Sequence, residues 1–314
     1  MKAALISLLL LSVVLLLSFS LEEANSNKKG MAALGKKLFN EKLLSKDSTV
    51  SCVSCHKPGF AFADTVAFSI GINGKLTSRN TPSVLNMKNR PYYFWDGRAA
   101  TLFQQSLMPI ENPNEMGLPV SEAVERLNTS TLYKGMFRKV FGQAPNAKNL
   151  GMALAAFEQT LETVNSKFDD WSNNLGSLSD EEERGRELFI GNKAKCFDCH
   201  SMEDFTDDGF KNIGLFNGKD LADIGRFSIT GKESDKGKFK TPGLRNVGVT
   251  APYMHDGRFQ TLEQVVSYYN TPFMFVDDPV NIDSLLLRPL KLSSEEKKDL
   301  VAFLKTLTDK AYIK

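Results

Sequence analysis

One pattern, Cys-x-x-Cys-His, occurs twice in this 314-residue chain, at Cys52–Cys55–His56 and at Cys196–Cys199–His200. Together the two copies use all four cysteines and two of the three histidines. The spacing suits covalent attachment of haem c, in which two thiols add across the porphyrin vinyl groups and the adjoining imidazole reaches the iron from the proximal side. Two disulfides, a thioredoxin-like dithiol or a single four-cysteine zinc site would use the same cysteines. None of these needs a histidine directly after the second cysteine, and here it recurs. The pattern predicts a redox protein with two covalently bound haem c groups.

At the N-terminus, Met1-Lys2 precedes an almost unbroken apolar run from Ala3 to Leu17, followed by Ser18-Phe19-Ser20 and a polar stretch. A basic start, an apolar middle and small residues near a cleavage point make residues 1–20 a secretory signal peptide. The apolar run is long and carries no Ala-x-Ala site, so an uncleaved N-terminal anchor stays open as the one route to a membrane. Export agrees with haem c, which bacteria attach outside the cytoplasm, and the expected location is the periplasm. Thirty-nine basic residues against thirty-seven acidic ones leave no like-charge block, which argues against nucleic acid as a partner.

Past the signal the chain repeats itself. Thr81-Pro82-Ser83-Val84-Leu85-Asn86 aligns with Thr241-Pro242-Gly243-Leu244-Arg245-Asn246, and Asp96-Gly97-Arg98 with Asp256-Gly257-Arg258. Both pairs share an offset of 160 (241 against 81, 256 against 96). Gly35-Lys36-Lys37-Leu38-Phe39 before the first haem motif echoes Gly185-Arg186-Glu187-Leu188-Phe189 before the second. The fold class expected is mainly α: two tandem cytochrome c-like haem domains with long loops, residues 21–175 and 176–314, divided in the polar stretch Trp171 to Ser177. Thr101-x-x-Gln104, Ser179-x-x-Glu182, Thr261-x-x-Gln264 and Ser293-x-x-Glu296 read as capping boxes that open helices.

Under the same offset Trp95 stands opposite His255, and Pro109 opposite Tyr269. If that segment faces the distal side of the iron, a tyrosine can ligate it through oxygen, whereas proline offers no lone pair. The second haem would then be six-coordinate and the first would keep an open site. Tyr268, Met254 and Met274 compete with Tyr269 for the iron. Beyond Pro109 the loop carries Glu111 and Glu115, and peroxide cleavage needs a group that first takes a proton and then returns it. A carboxyl above the haem can do both.

The chain resembles the bacterial di-haem cytochrome c peroxidases and, within that superfamily, the MauG type. Its markers are Ser51-Cys52-x-x-Cys55-His56, Arg79-Asn80-x-Pro82, Phe94-Trp95-Asp96-Gly97-Arg98, Asn112-Pro113-x-Glu115-Met116-Gly117 and Pro252-Tyr253-Met254-His255-Asp256-Gly257. The resemblance implies a peroxidatic haem in the N-terminal domain with His56 proximal, and an electron-transfer haem in the C-terminal domain with His200 proximal. It further implies Trp95 between the haems, Glu115 as the distal acid, and Tyr269 in place of the methionine ligand of other members. It also implies a calcium ion held by Asn80 with backbone carbonyls near Gly248 and Thr250.

The expected activity is reduction of hydrogen peroxide to water at the first haem, with electrons passed through the second. The donor would be a small periplasmic cytochrome c or cupredoxin. A MauG-like alternative draws the electrons from side chains of a protein substrate. A non-enzymatic alternative is a di-haem electron carrier with both irons six-coordinate.

Overall fold

The computed structural model describes residues 26–201 and 203–313, so the apolar segment assigned to the signal lies outside the described residues. Helices dominate the first half: α1 (residues 26–39), α2 (Cys52–Cys55), α3 (Leu102–Glu111), α4 (Val120–Thr129), α5 (Thr131–Phe141) and α6 (Ala147–Glu158). The second half has α7 (Lys167–Ser172), α8 (Asp180–Ile190), α9 (Phe227–Thr230), α10 (Leu262–Asn270) and α11 (Ser294–Thr306). The two short strands β1 (Phe210–Lys211) and β2 (Phe239–Lys240) pair antiparallel, with Phe210 opposite Lys240. Long loops join these elements, as expected for a mainly α pair of haem units.

Local chemistry sets the helix starts. Ser179 and Ser293 cap α8 and α11 as full boxes, each hydroxyl accepting from the N–H of the glutamate three residues on and that carboxylate accepting in return. Thr261 and Gln264 close the same box at α10. At α3 it is only half built: Thr101 accepts from Gln104 N, but the Gln104 side chain takes its proton from Ala100 N instead.

Both cores rest on one crossing of two helices, built twice. A Cβ on Gly35 would lie 1.9 Å from Ala153 O, and a Cβ on Gly185 would lie 1.9 Å from Asp299 O, so α1 meets α6 and α8 meets α11 at backbone contact. Only glycine permits that approach. One turn along, Phe39 packs on Phe157 and Phe189 on Phe303, each with ring centroids 5.2 Å apart. All four rings are buried, each contributing about 1.5–3 kcal/mol of apolar stabilisation. Beside each crossing an asparagine in the left-handed region donates its N–H to the chain after the second helix: Asn86 N to Leu161 O, and Asn246 N to Leu307 O.

The helix α7 packs with the second core. Phe168 stands edge-on to Phe205 at 5.1 Å, Ser166 bridges to Asp309, and Lys167 pairs with Glu182. Polar contacts then lock the two units together. Arg79 forks onto Asp223 at 2.7 and 2.8 Å and also holds Asp96, while Arg90 grips Asp204 and Asp208. Such part-buried pairs add little net stability, but losing one partner strands the other, so they fix how the units face each other.

Candidate functional site: two unequal haem cavities

Each cysteine pair lines a cavity together with its own histidine. Cys52, Cys55 and His56 open onto one of about 160 Å³, and Cys196, Cys199 and His200 onto one of about 310 Å³. All four thiols are free, and among the described residues no group of three or more His, Cys, Asp or Glu converges on a metal position. Because the two pairs line separate cavities, they do not converge on one four-cysteine zinc site. Burial pushes Cys55 up to about 11 and Cys196 up to about 12, and raises Cys52 and Cys199 as well, the opposite direction from the lowered pKa of a nucleophilic dithiol.

The histidines are prepared as ligands in the same way. His56 Nδ1 lies 3.0 Å from Phe62 O, and His200 Nδ1 lies 2.9 Å from Phe205 O. A carbonyl oxygen only accepts, so Nδ1 carries the proton in both rings, which leaves the lone pair of Nε2 for an iron. Burial lowers both imidazole pKa values, which keeps the rings neutral. The donor set thus fits two haem c groups, each with a proximal imidazole.

On the opposite walls the cavities differ. Pro109, in the last turn of α3, lines the first, and Tyr269, at the same point of α10, lines the second. The rival Tyr268 is fully buried and donates its hydroxyl to Ile213 O at 2.5 Å, and Met274 is 81% exposed. Met254 does line the second cavity. Burial, with Tyr268 nearby, raises the pKa of the Tyr269 phenol.

The Glu115 carboxyl lines the first cavity, with Asn112 Nδ2 donating to it at 2.6 Å. Its burial raises the carboxyl pKa, against the opposing pull of Arg98 and Asn112. Glu111 lies outside this cavity, where it accepts from Val120 N at the start of α4. Trp95 is a wall of both cavities, as is Asn80. Its indole N–H donates to Asn80 O at 2.9 Å, its own carbonyl accepts from Lys240 N at 2.7 Å, and Asn80 N donates to His255 O at 2.7 Å. Trp95 is therefore pinned by backbone from both units. His255 lies flat on Phe239 with centroids 3.7 Å apart, and its pKa falls to about 4 through burial.

Of the residues assigned to calcium, Asn80 and Thr250 line the larger cavity, and Gly248 sits against Thr308 and Lys305. Asn80 Nδ2 donates to Val66 O and Ala67 O, which leaves its amide oxygen as the available donor to a cation.

Further polar side chains that the sequence did not single out also line the first cavity, among them Gln105, Ser106 and Glu158. The offset of 160 could have found two of them, since it sets Gln105 and Ser106 opposite Val265 and Val266 of the second cavity.

Known proteins of similar sequence and fold identify the family. The family described as di-haem cytochrome c peroxidase, CCP_MauG, matches residues 29–176. The methylamine utilization protein MauG of Methylorubrum extorquens is 37% identical across 91% of this chain and 80% of its own length. The chain belongs to the di-haem cytochrome c peroxidase and MauG family. The cytochrome c551 peroxidase of Nitrosomonas europaea is similarly near, at 36% identity over 88% of this chain and 80% of that protein. A solved MauG-like protein associated with microbial copper homeostasis superposes with a TM-score of 0.83, at 33% identity and 90% coverage of each chain. Membership implies two c-type haems and peroxidase-type oxidoreductase chemistry, and both branches of the family are represented among these relatives.

Proposed function

We propose that this protein is a di-haem c-type peroxidase that reduces hydrogen peroxide to water at the haem held by Cys52, Cys55 and His56. Its electrons would arrive through the haem held by Cys196, Cys199 and His200. The observation that carries the reading is the meeting, in one cavity, of His56, a proline in place of a distal ligand, and the buried acid Glu115.

A haem bound there supplies an iron that binds peroxide and accepts its oxidising equivalents. The chain's own part is to place a proton. Glu115, its carboxyl pKa raised by burial, is the group that would take a proton from one peroxide oxygen and return it to the departing one. His56, oriented by the Phe62 carbonyl at Nδ1, would hold the haem iron through Nε2. Trp95, a wall of both cavities, is the side chain through which oxidising equivalents would be shared. On the second haem we assign Tyr269 as the distal ligand. A calcium ion at Asn80, Gly248 and Thr250 would be held by neutral oxygens alone, and the chemistry proposed does not require it.

A second reading, in which the electrons come from side chains of a partner protein as in the MauG branch, is favoured by Tyr269. An anionic oxygen ligand stabilises oxidised iron and makes reduction by a small carrier harder. A periplasmic location and a cleaved signal belong to both readings. Optical and EPR spectra of the ferric holoprotein, followed by rapid mixing with peroxide, test the proposal. One high-spin and one low-spin haem and a fast reaction are expected. Two low-spin haems with no reaction would leave an electron carrier.

A further inference from the structure

The last residue of α6, Glu158, is 4% exposed and lines the cavity of Cys52, Cys55 and His56. Among the described residues its Oε2 is buried with no hydrogen-bond partner. The other ionisable groups lining that cavity are engaged. Arg79 and Arg98 pair with Asp96, Tyr93 Oη donates to Met87 O, Glu115 accepts from Asn112, and His56 Nδ1 faces Phe62 O. Cys52 and Tyr93 lie within range of the Glu158 charge, and α1 offers the cavity only Phe39. The residue at the same point of the second unit is Leu304, by the offset of 146 that relates Phe157 to Phe303 and Leu161 to Leu307, and Leu304 lines the second cavity.

From this placement we propose that Glu158 is the redox-linked proton site of the first haem: it takes up one proton when that haem gains one electron, and releases it on oxidation. The proposal rests on haem binding at His56 and not on the reaction with peroxide. A buried carboxylate without a partner is strongly disfavoured unless a cation lies close to it, and burial alone acts on Glu158, since Arg79 and Arg98 are spent on Asp96. Ferric haem carries one net positive charge at its centre, and the ferrous form carries none. Oxidised haem therefore favours the Glu158 carboxylate, and an electron delivered by an external one-electron donor removes that support. The proton comes from solvent to a Glu158 oxygen, so the electron and proton enter together and the net charge of the unit is unchanged. By linkage the converse holds, and the proton tunes the ease of reduction. Without the haem, burial already pushes the Glu158 carboxyl up to about 8, so the coupling falls at and below that pH.

The test is potentiometric titration of the holoprotein at several pH values, with each haem followed by its own spectrum. The potential of the first haem is expected to fall by about 59 mV per pH unit, one proton per electron, over a window below pH 8. The second haem should be flat across the same window. Glu158→Gln and Glu158→Leu are expected to flatten the first profile as well. Redox-difference infrared spectra of the unmodified protein should show a protonated-carboxyl band that appears on reduction and is lost in Glu158→Gln. A pH-independent first haem in the unmodified protein would overturn the proposal. So would a slope that survives Glu158→Gln and disappears in Glu115→Gln, or survives both and thus belongs to a haem propionate.

Discussion

Pro109 stands in the first cavity where Tyr269 stands in the second, and Gln105, Ser106 and Glu158 stand where the second has Val265, Val266 and Leu304. Behind these walls the two units are nearly superimposable in kind, with glycine at each helix crossing, one phenylalanine pair over it, and an imidazole held by a phenylalanine carbonyl. The contrast separates two jobs. Side chains that pack helices and seat the proximal histidine are kept in both units, because both must grip the same rigid porphyrin. Side chains on the opposite walls diverge, as the proposed function requires of one unit that handles protons and another that handles only electrons.

The sharpest way to break this contrast is to remove the acid. Glu115→Gln keeps the size of the side chain but cannot carry a proton, and the reaction of the ferric protein with peroxide is expected to slow on the order of 10²–10⁴-fold in stopped flow. An unchanged rate would assign the proton work elsewhere.

Next in size is the ligand swap. Tyr269→Met should raise the potential of the second haem by on the order of 100 mV and abolish a tyrosinate spectrum, leaving the first haem untouched. An unaltered spectrum would hand the iron to another residue, with Met254 already in the cavity.

A smaller and symmetric effect tests the shared scaffold. Gly35→Ala and Gly185→Ala each force a methyl group into a backbone carbonyl, and each should cost about 1–3 kcal/mol, read as comparable losses of Tm in the holoprotein. A large effect in one and none in the other would show that the crossings are not equivalent. Smallest is Trp95→Phe, which strips Asn80 O of its indole donor and should cost about 1 kcal/mol. It should also slow electron sharing between the haems, measured by single-turnover kinetics.

Much of this was written in the chain order. Cys-x-x-Cys-His points to where each haem would be attached because thioether formation and ligation by the adjoining histidine are both local, needing five consecutive residues. The offset of 160 set Pro109 opposite Tyr269, since the segments from Thr81 to Pro109 and from Thr241 to Tyr269 are of equal length. The same ruler missed Glu158. Its counterpart lies 146 residues on and the haem motifs themselves 144 (196 against 52), because the connecting loops differ in length between the units. A long-range repeat is legible only where no insertion interrupts it.

Sequence alone, then, determined the paired haem motifs, the mainly helical duplication and the contrast of Pro109 with Tyr269, since each depends on residue types at short or constant spacing. Tertiary structure decided which side chains share a cavity. It brought Glu158 from the end of α6 to Cys52, buried Tyr268 on Ile213 O while leaving Tyr269 at the second cavity, and made Trp95 a wall common to both. These juxtapositions arise from how helices cross and how loops of unequal length return the chain, and that geometry is set by packing across the whole molecule.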